Sequence, residues 1–219
     1  MKKTTGDKPT TEQTPAVVET AETKKASNEA NINDEDAIFV VKKTKKYCSI
    51  DNKKHCLVYN GKQLENDKTM TGEIQYITLR WDEGDPAKDI YSGEEIEFSM
   101  KGANNIYFIF SFYTRVISGL KILCYLPNVT SKNIGIAVAK DEGKTPNGGK
   151  NPPKVFVGVQ IDDDVKFLKM ALSFRQDENG TEFLFYKEDV DRKPVDTAEI
   201  LSSFAHSIGV PFFNELHHE

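Results

Sequence analysis

The chain has 219 residues, 38% hydrophobic and 29% charged, with 13 Phe and a formal net charge of −5. That suits one domain with a tail, or two small domains, with enough apolar side chain for a real core. The acidic balance argues against a duplex-DNA protein that binds by charge alone, yet leaves room for a single-strand binder with a local basic groove. No apolar run approaches the roughly 18 residues of a membrane span, so no membrane partner is expected. Met1-Lys2-Lys3 runs on into Thr, Gly, Asp and Pro, not an apolar stretch, so no signal peptide is expected either. An odd count of three Cys then suggests reduced thiols and a cytoplasmic setting.

Residues 1–36 read as a disordered arm. They are rich in Thr, Glu, Lys, Ala and Asn, with five Lys against eight Asp and Glu, and have little to bury. A short helical attempt over Ala16–Ala30 is the one local signal. An arm built to grip phosphates would be basic, so a plain linker is the better reading.

The folded domain is expected over 37–211. Ile38–Val41 opens a strand that runs through Lys42-Lys43-Thr44-Lys45-Lys46 to Tyr47-Cys48. After a polar turn at Ser49–Lys54, His55–Leu64 returns as a second strand, with Asn60-Gly61 marking a tight turn or bulge. Glu73–Trp81 alternates as a third strand, with Ile74 on the face opposite Ile77, Leu79 and Trp81. Asp85 before Pro86 can cap one helical turn. In Glu95–Lys101 the alternation sends Ile96, Phe98 and Met100 inward and leaves Glu95, Glu97 and Ser99 on a wet face.

Ile106–Tyr113 is the strand on which the domain is organised. It is apolar or aromatic everywhere but Ser111, so both faces should be covered. Leu120–Leu126 reads as a further strand, because Leu120, Ile122, Cys124 and Leu126 alternate. Asn133–Ala139 follows, with a smooth outer face of Gly135, Ala137 and Ala139 that invites a close neighbour. Asp141–Pro153 is a long polar loop, and Val155–Ile161 a strand that points Val155, Val157, Val159 and Ile161 inward. Asp162–Asp164 turns into a strand over Phe167–Gln176, and Asp177–Gly180 makes a hairpin to Thr181–Lys187. Asp196 with Glu199 starts an amphipathic helix over about 196–208, its apolar stripe Ile200, Leu201, Phe204 and Ile208. Gly209 and Pro211 stop it, and Phe212 and Phe213 should fold back beside it in a short tail, 212–219. The expected class is mainly β: antiparallel sheets, as a sandwich or partly open barrel, with one C-terminal amphipathic helix packed on a sheet.

Catalytic chemistry has little to stand on, and no enzyme, cofactor or metal is expected. Cys48, His55 and Cys56 offer three zinc-ligand types, but at no zinc-finger spacing and without a fourth ligand. Gly148-Gly149-Lys150 is followed by Asn151-Pro152-Pro153, where a phosphate loop would start a helix. Asp162–Asp164 lacks the glycine and further acids of a calcium loop.

What remains is lysine and tyrosine. Lys42, Lys43, Lys45 and Lys46, with Lys53 and Lys54 on the return, would gather positive charge on one hairpin. Lys140, Lys144, Lys150 and Lys154 lie on or at the ends of the long loop, where they could close over a backbone. Tyr47, Tyr107, Tyr113 and Tyr125 lie on or beside sheet faces, where bases stack regardless of sequence. The bland alternative has the lysines guarding a sheet edge and the tyrosines in the core margin. The functional expectation is sequence-tolerant binding of single-stranded nucleic acid, with a homo-oligomer possible. The alternative is a structural or assembly subunit, such as a β-sandwich or jelly-roll particle or virion protein acting through self-association.

Overall fold

Ile106–Tyr113 forms a strand with those bounds, and the sheet is assembled on both its edges. The computed structural model describes residues 44–65, 68–88, 92–102, 106–145, 148–178 and 182–217. The expected arm (1–36), the strand opening at 37–41, Lys42, Lys43 and the hairpin tip at Asn179-Gly180 lie outside those residues.

In chain order the strands are β1 (Thr44–Asp51), β2 (Cys56–Tyr59), β3 (Lys62–Gln63), β4 (Thr69–Asp82), β5 (Gly93–Lys101) and β6 (Ile106–Tyr113). Helix α1 (Ile117–Leu123) follows, then β7 (Asn133–Ala139), β8 (Lys154–Ile161), β9 (Asp164–Phe167), β10 (Leu172–Gln176) and β11 (Glu182–Tyr186). Helix α2 (Thr197–Ile208) and β12 (Phe212–Asn214) close the fold. The main sheet runs β3-β2-β1-β6-β5-β4-β7-β8-β9, with β12 on β4, while β10 and β11 form a separate hairpin. Pairing is antiparallel except for β1 with β6 and β12 with β4, which are parallel. The sheet curls into a half-barrel, so that β2 meets β7 although four strands separate them. The mainly β class with a C-terminal helix on a sheet is therefore the fold of this chain.

The core lies inside the curl. Phe98, Phe110, Ile96, Met100, Ile134, Ile136 and Val157 are fully buried there. Helix α2 packs on the Phe98 part of this core, formed as its sequence signals dictate. Asp196 Oδ1 accepts from the backbone N–H of Ala198 at 2.7 Å and of Glu199 at 3.2 Å, and Gly209 ends the helix at φ 72°. Its buried stripe is Ile200, Leu201, Phe204 and Ala205, and the Phe204 ring stands 6.2 Å from that of Phe98.

Several local expectations are corrected. Leu120–Leu126 is not a strand: Ile117–Leu123 is helical, and Leu126–Asn128 is a 3-10 turn. Leu123 and Tyr125 are apolar as well, which leaves Lys121 as the one charged side chain, so the alternation is too weak to fix the period. Ile74 is not opposite Ile77 and Leu79. A bulge between Ile74 and Tyr76 puts all three in the core. The outer side of β5 is not wet, since Glu95 is 7% exposed and Ser99 3%. Ser99 is flanked in register by Tyr76 and Ile109. Ile161, expected inside, is 54% exposed because it sits at the turn into β9, past the end of the core. Phe167–Gln176 breaks into β9 and β10, where the N–H groups of Ala171 and Leu172 both donate to the Cys124 carbonyl. Ser49–Asp51 continues β1 rather than turning, and the turn comes at 52–55. Phe212 and Phe213 form β12 rather than a tail, pairing with β4 at Ile77 and Thr78. They extend the edge that β7 leaves after Glu73.

Other expectations match. Asn60 and Gly61 take φ 50° and 77°, the positive pair of a tight hairpin turn. Asp85 Oδ1 accepts from Ala87 N–H at the start of a single 3-10 turn, Pro86–Lys88. The smooth face of β7 does have a close neighbour: a Cβ on Gly135 would stand 2.7 Å from both Val165 methyls of β9.

Candidate nucleic-acid interface

Strand register decides which candidate side chains meet. Lys45 pairs with Tyr107 across β1 and β6, and Tyr107 pairs with Lys101 across β6 and β5. Paired residues share a face, so Lys45, Tyr107 and Lys101 form one row on the outer side of the sheet, away from the core. Such a row spans about 10 Å, two strand spacings. The next row along holds Tyr47, Ile109, Ser99 and Tyr76. Tyr47 is 64% exposed, and Tyr107 is half-buried beside it. Further along, Phe213 and Tyr76 meet edge to face at 5.8 Å.

The remaining candidates are dispersed. Lys46 pairs with Phe108 and belongs to the opposite face from Lys45, as strand alternation requires. Lys53 and Lys54 lie in the turn after Asp51, about 20 Å along the strand from Lys45. There Asp51 Oδ1 accepts both of their backbone N–H groups at 3.0 Å, and Asp51 Oδ2 lies 3.8 Å from Lys54 Nζ. Lys144 and Lys150 face each other across a small loop hairpin, closed by Thr145 N–H to the Gly149 carbonyl at 2.8 Å. Lys154 lies 3.9 Å from Asp141. The base of this loop is fastened to the α1 region, where Lys121 Nζ donates to the Pro153 carbonyl at 2.7 Å and Tyr125 OH to that of Val155 at 3.0 Å. The loop lysines are thus rooted on the core side and do not join the Lys45 row. Tyr125 is buried.

Tyr113 is on the outer face but already engaged, its OH donating to Asp82 Oδ2 at 2.6 Å. Burial first, and then that bond, push its phenol above the ordinary range. Around it the face turns acidic. Arg80 donates through Nε (3.1 Å) and Nη2 (2.8 Å) to Glu95 Oε2, and Nη2 lies 3.4 Å from Glu97. The outer face therefore holds Lys45 and Lys101 at one end, where Glu73 pairs with Lys101 in register and is bridged to Lys132, and Glu95, Glu97 and Asp82 at the other. Sequence reasoning had Lys101 within reach, since it alternates with Glu95, Glu97 and Ser99. It was passed over because it stands alone in the sequence, and only pairing brings it beside Tyr107.

Burial raises the Glu97 carboxyl above its usual range; Arg80 pulls it back and Glu95 adds to the rise. Below the unfolded pKa both states are protonated and nothing is lost. As pH rises through the folded pKa, the folded state bears the full cost of a buried anion. Glu97→Gln should therefore raise Tm by a few degrees at pH 7, with the gain gone near pH 4. Thermal melts at the two pH values check this.

The thiols do not converge. Cys48 pairs with Tyr59 and Cys56 with Asp51, on opposite faces, and both are free and buried. Burial pushes the Cys48 thiol up to about 12. Among the described residues no three His, Cys, Asp or Glu side chains group to hold a metal, and no helix is long and apolar enough to cross a membrane. No known family model, curated protein or solved structure matches the chain.

Proposed function

We propose that this protein is a non-enzymatic binder of single-stranded nucleic acid, acting through the outer face of its sheet. The observation that carries the reading is the register that aligns Lys45, Tyr107 and Lys101, with exposed Tyr47 in the next row. Bases stack on the tyrosines and phosphates meet the two lysines, a combination that tolerates any sequence. Lys46, Lys53, Lys54, Lys144, Lys150 and Lys154 then act at a distance, raising local anion concentration rather than touching the same nucleotides. The reading includes a reducing, cytoplasmic compartment, for which the three free buried cysteines speak.

Titration of a fluorescent oligonucleotide tests it. Affinity should fall with salt at a slope of about −0.7 per phosphate neutralised. Tyr47→Ala should weaken binding about 5–150-fold, the equivalent of ~1–3 kcal/mol for one lost stack. Absence of any salt-sensitive binding at micromolar protein would end the proposal.

A second reading, self-assembly, is favoured by edge strand β9. Phe167 stands 45% exposed at its end and Ile161 54% exposed at the end of the neighbouring β8, beside an unpaired backbone edge. Elution far above 24.7 kDa on a sizing column would favour a second copy docked there.

A further inference from the structure

A cavity of about 190 Å³ opens at the acidic end of the outer face, where β1, β6 and the start of α1 meet. Its polar walls are Ser49, Asn52, Glu95, Ser111, Tyr113 and Ser118. The volume is below the roughly 300–1,000 Å³ of sites for drug-sized molecules, so it suits a fragment such as one base.

Its chemistry is that of an acceptor. Glu95 is 7% exposed, and while its Oε2 takes both Arg80 bonds, its Oε1 accepts none among the described residues. Asn52 Oδ1 is buried with no hydrogen-bond partner, which in a native structure calls for a donor. Tyr113 spends its own proton on Asp82, so its oxygen is left to accept. The three serine hydroxyls can turn either way. A guest bearing N–H groups satisfies these walls, whereas a carbonyl would meet carboxylate and amide oxygen.

Ser111 lies four residues along β6 from Tyr107, about 13 Å at strand rise. A strand anchored at Lys45, Tyr107 and Tyr47 therefore reaches the cavity by continuing along β1 and β6. We infer that this cavity receives one base of the bound strand and selects an exocyclic amino group, favouring cytosine over uracil. The inference rests on the single-strand reading above. A carboxylate accepting from cytosine N4 is an established base contact, and uracil offers O4 at the same place. The acids also suit a base better than a phosphate, and the phosphates stay at the lysine end.

The test is anisotropy titration of the full chain with labelled oligodeoxycytidine and oligodeoxyuridine of equal length, at one salt concentration. The two ligands share backbone and ring size and differ along one base edge, where cytosine presents its N4 amino group beside an N3 acceptor and uracil presents O4 beside N3–H. Cytidine should bind at least about fivefold tighter, the low end for one specific base contact. Ser111→Phe, whose ring occupies the cavity in place of a base and keeps a strand-favouring residue, should bring the ratio near one. Equal binding of both ligands by the unaltered chain overturns the cavity inference and leaves the proposed function standing. Loss of binding to both overturns the two together. A preference that survives in Ser111→Phe removes the cavity as its source.

Discussion

Phe98→Ala should cost the fold about 3–5 kcal/mol, as for other fully buried aromatic truncations. Phe98 is the point at which three parts of the core meet. Its ring centroid stands 5.4 Å from Phe112, 6.5 Å from Phe110 and 6.2 Å from Phe204. The first two belong to β6 and the last to α2, so the deletion opens a void between sheet and helix. Neither wall can collapse cheaply. β5 is held by ladders to β4 and β6 on both edges, and α2 is fixed at its ends by the Asp196 cap and Gly209. The loss is large against the roughly 5–15 kcal/mol that stabilises a typical domain. Urea denaturation should show a lower midpoint at unchanged slope. Phe167→Ala, at an exposed edge position, is the control and should cost far less. A loss at Phe98 no larger than at Phe167 would mean that α2 is not seated on β5.

The parts of this fold that could be read from the chain are those fixed by neighbours in sequence. β6 and β7 have the bounds their composition suggests, because each is a strand-favouring run closed by turn residues. α2 was legible from its cap at Asp196 and its stop at Gly209, both local chemistry. What stayed hidden was non-local or lacked contrast. Nothing near Phe212 announces a parallel pairing with Ile77. The bulge after Ile74 moves a side chain between faces without leaving a residue-type signature. α1 is short and mostly apolar, with Ser118 and Lys121 its only polar side chains, so period 2 and period 3.6 are not told apart there. The candidate interface suffered most. Six lysines near one another in sequence, Lys42, Lys43, Lys45, Lys46, Lys53 and Lys54, suggest one patch. Yet alternation sends Lys46 to the other face, and strand length carries Lys53 and Lys54 away. The partner that does join Lys45 is Lys101, some fifty residues on, through β6. A patch on a sheet is assembled across strands, whereas a sequence is read along them.

Gly119→Ala sets two opposed effects against each other, and packing should win. Gly119 lies inside α1, where propensity alone makes alanine better by about 1 kcal/mol. An added Cβ, however, would overlap the backbone carbonyl oxygen of Tyr113, lie 2.9 Å from its carbonyl carbon and 3.2 Å from Phe112 Cδ2. A side chain can swing aside, but the obstacle here is the backbone at the end of β6. Either α1 lifts off the sheet or the last residues of β6 shift. The net loss should reach about 3 kcal/mol, at or above the usual range for overpacking. Gly209→Ala gives the contrast: nothing lies within 4 Å of its added Cβ, and its cost comes only from φ 72°. Urea midpoints of both variants decide the matter, and a stabilised Gly119→Ala would show that α1 does not press on β6. Binding offers a second readout, because Tyr113 and Ser118 both line the cavity while Lys45 and Tyr107 lie about 13 Å along the strands from its Ser49 and Ser111 walls. Whatever fraction of Gly119→Ala stays folded should therefore hold oligodeoxyuridine as the unaltered chain does. It should lose the preference for oligodeoxycytidine, because the walls that select the base stand where helix and strand have been forced apart.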